Sequence, residues 1–168
     1  TAMKQLSASY WINQLKLLAH PEGGFFKEVY RAAGEIPALA LPPRFKGNRN
    51  FSTAIYYLLE RNDFSAFHRI LADETWHFYD GNPLEIIIIT AEGKLNKQII
   101  GLSQPEALPM FTISAGDWFA ARSTGDYTLC GCTVAPGFDF ADFELGDYKQ
   151  LTALFPQHRK LIEQFTRI

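Results

Sequence analysis

At 168 residues, 47% hydrophobic and 14% aromatic, the chain carries enough apolar surface to pack one domain of ordinary size. Its 16 Lys and Arg against 18 Asp and Glu, a formal charge of −2, offer no broad attraction to nucleic acid or to an anionic membrane surface. The longest apolar run, around Ile86 to Ile89, falls far short of the roughly 20 residues of a membrane-spanning helix, and no signal-like start is recognisable, so a soluble, cytoplasmic protein without nucleic-acid or membrane partners is expected.

In chain order, Trp11, Leu15 and Leu18 recur at helical spacing, with Ser7 or Ser9 available as a cap. They predict a helical cover within 1–20 that stops before His20-Pro21. Gly23-Gly24 resets the chain direction, Phe25 to Arg31 alternates as a strand does, and Ile36 to Asn50, with Pro37, Pro42, Pro43 and Gly47, reads as a long basic loop. From Phe51 the chain turns to short β-branched and aromatic runs. Strands are predicted near Ser52–Leu59, Phe64–Leu71, Thr75–Tyr79, Leu84–Thr90, Leu95–Ile100, Phe111–Ile113, Asp117–Arg122 and Tyr127–Val134, with turns such as Asp80-Gly81-Asn82-Pro83 and Thr124-Gly125-Asp126 between them. So many strands within 25–134, with no helix between them, exclude a parallel α/β sheet and favour a sandwich or barrel.

Cys130 and Cys132 fall on one face of the last of these strands, at a separation poorly suited to a disulfide, and read as small, reduced core residues. After Pro136-Gly137 an acidic aromatic segment runs from Phe138 to Glu144. Its Asp139, Asp142 and Glu144 lack the glycine and the spacing of a calcium loop and read as a loop cap or exposed turn. Two short helices within 145–168 close the chain, with apolar stripes Leu151, Leu154, Phe155 and Leu161, Ile162, Phe165. Residues 1–168 read as a single domain.

The informative stretch runs from Asn62 to Gly81. His68 is followed after five residues by Glu74 and after six more by Gly81. Alternation places Phe64, Ala66, His68 and Ile70 on one face of a strand and Glu74, Trp76 and Phe78 on one face of the next, so His68 and Glu74 can face one interior while His77 points away. Glu74 needs a cation beside it if buried, and Arg69 is the nearest in sequence. Arg31, Arg69 and Arg122 each read as strand-end charges in solvent.

This spacing resembles the first cupin motif. A weaker counterpart of the second stands at Ser114 to Phe119, where Gly116 keeps the turn. His20 to Phe26, Tyr30-Arg31, Ser52 to Leu59, His68-Arg69, Asp73 to Gly81 and Gly131 to Glu144 are similar to the motifs of a group of single-domain cupins without a settled activity. The resemblance implies an all-β double-stranded β-helix, the jelly-roll or cupin barrel, with short N- and C-terminal helices, pairing as a homodimer and binding a small polar metabolite in the barrel.

It also implies a site. By analogy with the sugar-nucleotide epimerase branch of the cupins, His68 would be a base that removes a proton next to a carbonyl, with Glu74 orienting it in a metal-independent epimerase- or isomerase-like enzyme. Trp76, Phe78, Phe119 and Tyr57 are the expected ligand-binding residues. Ile70 and Phe119 stand where metal cupins carry further histidines, so no cofactor is expected; with a metal, His68 and Glu74 would be its ligands. A non-catalytic small-molecule-binding or storage-type cupin and a metal-dependent cupin enzyme are the alternative functions.

Overall fold

The computed structural model describes residues 6–167; the ends of the expected helical covers, 1–5 and 168, lie outside the described residues. Helix α1 (Ala8–Leu15) begins where Ser7 Oγ accepts the Tyr10 amide at 3.1 Å, and it stops at Lys16, whose backbone turns left-handed. Leu18, expected on the helix, lies beyond that stop in the short strand β1 (Leu18–Ala19) and is 71% exposed; Leu17 takes the buried place instead. Strand β2 (Phe25–Arg31) follows as read from its alternation.

The stretch expected as a long loop carries two short paired strands, β3 (Glu35–Ile36) and β4 (Arg49–Asn50), and buries Phe45 and Arg49. Then come β5 (Thr53–Glu60), β6 (Ser65–Arg69), β7 (Asp73–Gly81), β8 (Leu84–Ile89), β9 (Leu95–Ile100), β10 (Met110–Ile113), β11 (Trp118–Ser123) and β12 (Tyr127–Ala135). After them, β13 (Glu144–Leu145), α2 (Tyr148–Leu154) and α3 (Arg159–Gln164) complete the chain. No described helix is long and apolar enough to cross a membrane.

Apart from the β3–β4 pair, the described strands form two antiparallel sheets, ordered β1-β2-β5-β12-β7-β10 and β13-β6-β11-β8-β9, which together make an all-β jelly-roll. Tyr57, Leu59, Trp76, Ile86, Ile88, Phe119, Cys130 and Cys132 fill the space between them. The free, buried cysteines therefore pack as core residues. The alternate residues Ile87 and Ile89, with Phe67 and Trp118, face outward and are covered by Leu151, Phe155, Ile162 and Phe165. Two-sided burial explains the unbroken Ile86–Ile89 run, each side chain contributing about 1.5–3 kcal/mol. Leu154, expected in the apolar stripe, turns outward and is 55% exposed.

One end of this sandwich stays open. Strands β6 and β7, consecutive in sequence, belong to opposite sheets, so the link through Ile70, Leu71 and Ala72 carries the chain across the interior rather than making a hairpin. Arg49 grips Asp142 with two bonds, Nε to Oδ2 at 2.7 Å and the second guanidinium nitrogen to Oδ1 at 2.6 Å. This pair ties the 35–50 arm to the aromatic segment Phe138–Phe143 beside the open end. Asp142, read from sequence as part of an exposed turn, is thus a buried partner; the sequence does not reveal that Arg49 is buried opposite it.

Candidate active site

His68 and Glu74 both line a cavity of about 380 Å³ at the open end, facing it from opposite sheets rather than from paired strands. The turn His20–Gly24 supplies a third wall. His20 N donates to Gly24 O at 2.9 Å and Gly23 N to His20 O at 3.0 Å, while the Ala66 amide donates to Glu22 O at 2.9 Å, fastening the turn to β6. Gly23 and Gly24 hold φ of 111° and 73°, and a Cβ on Gly23 would meet the Phe64 carbonyl oxygen at 2.1 Å, so only glycine gives this approach. The turn thereby drives the Glu22 side chain into the interior.

There Glu22 Oε2 stands 2.9 Å from His68 Nε2, both side chains nearly inaccessible. His68 Nδ1 lies 2.7 Å from the Ala66 carbonyl oxygen, which only accepts, so Nδ1 carries a proton. Burial, the largest influence, pulls the His68 pKa down, but the charge and hydrogen bond of Glu22, the charge of Glu74 and the Ala66 carbonyl together raise it further, and the net direction is up. Burial likewise opposes Glu22 ionisation, and His68 more than reverses it. Both directions favour the imidazolium–carboxylate form of the pair, in which both ring nitrogens donate to fixed acceptors. Phe119 and Phe143 flank the imidazole, at ring distances of 4.1 and 5.5 Å.

Glu74 differs. Burial raises its pKa most, His68 lowers it, and the Glu22 carboxylate raises it again, leaving it at about 7. Among the described residues no cation forms an ion pair with it. Arg69, its expected partner, instead bonds Glu144 at 2.7 Å and stacks on Trp118, because residue 69 points to the opposite face of β6 from His68. The Cys132 thiol and the indole N–H of Trp76, two residues along the Glu74 face, lower that carboxyl's pKa slightly, though the indole makes no close hydrogen bond among the described residues. His20 is the reverse of His68. The Glu22 amide donates to its Nδ1 at 3.1 Å, so Nδ1 is an acceptor, burial keeps the ring neutral, and Nε2 carries the proton. The 3.7 Å approach of the same Nδ1 to Glu22 Oε1 is therefore no ion pair.

Of the other residues expected in the site, Trp76, Tyr57 and Phe119 lie in the core below the cavity, and Phe78 packs against that core; none is among the residues lining the cavity. Tyr57, also considered as an acid, donates its hydroxyl to the Gly23 carbonyl at 2.5 Å and is held well above its usual pKa by burial. Tyr127 bonds Asp80 at 2.6 Å and packs with the α1 cluster. His77 meets Thr133 on the outer face. The three arginines read as solvated strand-end charges are each partly exposed and each has a carboxylate partner, Arg31 with Glu28, Arg69 with Glu144 and Arg122 with Glu85.

The donor set does not fit a transition metal. His68 has both nitrogens engaged, Ile70 and Phe119 offer none, and among the described residues no three His, Cys, Asp or Glu side chains form a metal-holding group. Sequence reasoning missed Glu22 and His20, although both lie within the His20 to Phe26 motif. Polar residues beside a Gly-Gly turn were the signal available.

A family model described as Cupin superfamily (DUF985) matches residues 9–146. The crystal structure of protein SO0799 from Shewanella oneidensis is 34% identical, with a TM-score of 0.88 over 97% of this chain and 99% of that one. A hypothetical protein from Leishmania major is 30% identical, with a TM-score of 0.88 over 97% and 100%. Uncharacterized protein YML079W from Saccharomyces cerevisiae is 27% identical over 143 residues, 78% of this chain and 71% of that one.

Proposed function

Because the chain belongs to the cupin superfamily, in the family designated DUF985, we propose that its barrel cavity binds a small polar metabolite and transfers a proton on it without a metal, as an isomerase-like enzyme. The observation that carries this reading is Glu74, a buried carboxyl with a pKa of about 7 that faces the cavity beside a fixed ion pair. A group poised near the working pH serves as both base and acid.

The roles differ from those expected of the sequence. His68, with both nitrogens donating to Ala66 and Glu22, is the resident positive charge, and Glu74 moves the proton. The Glu74 carboxylate takes a proton from a hydroxyl-bearing carbon beside a carbonyl, and the C–H electron pair forms the C=C bond of an enediolate as the carbonyl pair passes onto its oxygen. The nearby imidazolium offsets the negative charge that develops, and the Nε2–H of His20 is available to the oxygen. The hydroxyl on the deprotonated carbon passes its proton across the enediolate to the former carbonyl oxygen, and the Glu74 carboxylic acid returns its own proton to the former carbonyl carbon, so that hydroxyl and carbonyl exchange places. Shuttling by one group on one face favours isomerisation over epimerisation, which needs an acid on the opposite face.

The test is deuterium exchange in D2O into dihydroxyacetone, glyceraldehyde, glucose and glucosamine, followed by NMR. Exchange accelerated by the protein in at least one, and slowed roughly a hundredfold or more in Glu74→Gln, is expected. Equal rates with both proteins, or no acceleration of any, would overturn the proposal.

A further inference from the structure

The groups around the cavity mouth bear on the charge of the molecule it admits, an argument that rests on reading this cavity as the reaction site. Four carboxyl groups line it, Glu22, Glu28, Glu74 and Asp139, against one guanidinium, Arg31, and the His68 imidazolium. His68 is spoken for by Glu22. Arg31 is equally committed. Its guanidinium bonds Glu28 at 2.5 Å, the Asn50 side-chain oxygen at 2.8 Å and the Phe138 carbonyl at 3.1 Å. Arg49, behind the rim, is held by both oxygens of Asp142. No free cation therefore faces the cavity among the described residues, and a phosphate or diphosphate entering it would meet uncompensated carboxylates in a poorly solvated space.

The carboxylates without a hydrogen-bonded cation are Asp139, which Arg49 behind the rim attracts only from a distance, and, above pH 7, Glu74. Asp139 Oδ1 accepts the Ala141 amide at 2.8 Å, which leaves Oδ2 for a ligand. Around it at the rim stand Phe138, Phe140 and Phe143, packed edge to face with centroids 4.9 to 6.3 Å apart, and all three line the cavity. Aromatic faces attract cations, and a carboxylate beside them adds charge pairing. We propose that the substrate is a small ammonium compound whose charged group sits at the rim between Asp139 and these rings, with its reacting carbon toward Glu74.

Calorimetric titration with three probes tests this: choline, its uncharged isostere 3,3-dimethyl-1-butanol, and glycerol 3-phosphate. Choline should bind roughly tenfold or more tightly than the isostere, and glycerol 3-phosphate weakest. Asp139→Asn keeps an oxygen for the Ala141 amide, so the turn survives; it should weaken choline roughly fivefold and leave the isostere unchanged. Phe140→Ala removes a ring already 56% exposed and should also act on choline more than on the isostere. Choline binding no tighter than its isostere, no choline binding at all, equal loss of both probes in Asp139→Asn, or tightest binding by glycerol 3-phosphate would overturn the assignment. Deuterium exchange dependent on Glu74 together with a preference for the neutral probe would remove the charge assignment alone. Choline preference without such exchange would remove the proton-transfer reading alone.

Discussion

Replacing Glu74 by Gln keeps the shape and most of the hydrogen-bonding capacity while removing the titrating group, so its effect on stability should depend on pH. The unfolded chain loses the Glu74 proton around pH 4.5, the folded chain at about 7. Between these values the folded state holds a proton that the unfolded state has released, so this residue makes stability fall as pH rises through the window. Above about 7 both states are ionised and the whole cost of the buried carboxylate remains. The distance from 4.5 to about 7 corresponds to about 3 kcal/mol at about 1.4 kcal/mol per pH unit. Glu74 is only 8% exposed, so solvent does little to screen that cost. Urea unfolding of wild type and Glu74→Gln at pH 5, 6, 7 and 8 should show near-equal stability at pH 5 and a variant more stable by about 3 kcal/mol at pH 8. Parallel curves across this range, or a variant less stable at pH 8, would refute both the raised pKa and the role built on it.

Glu22→Gln should destabilise the fold by about 3–5 kcal/mol, because it leaves the buried His68 without its anion. In the same variant the His68 pKa should drop, and nitrogen NMR near pH 7 should find a neutral ring. Arg49→Met strands Asp142 in the interior and should cost about 3–5 kcal/mol in urea unfolding, whereas Arg49→Met with Asp142→Leu should recover much of it. A double variant as unstable as the single one would mean that the pair contributes by geometry rather than charge. Cys130 and Cys132, buried and with thiol pKa values raised by burial, should react with a thiol reagent only on unfolding; fast labelling of the native protein would contradict their placement.

Much of this architecture is legible in the sequence because its signals are local. Alternation in Phe25–Arg31, and the short run Leu95–Ile100 after the Glu92-Gly93 turn, give the strand bounds found in the structure, and the Ser7 cap marks the start of α1. The spacing from His68 through Glu74 to Gly81 puts both candidate groups in one interior, since alternation fixes the face of each residue whatever the strand pairs with.

Partners across the fold are another matter. Neither the crossing of β6 and β7 to opposite sheets, nor the burial of Arg49 against Asp142, nor the pairing of Arg69 with Glu144 leaves a mark in any short window, because each depends on how distant segments pack. The chemistry turns on the same point. Sequence places an imidazole and a carboxyl together and suggests His68 as the base. The tertiary structure brings in Glu22 on the Gly23-Gly24 turn, 46 residues before His68, favours the imidazolium through it, and raises the Glu74 pKa to about 7. A pKa is set by burial and by charges a few ångströms away, and both are properties of the folded chain.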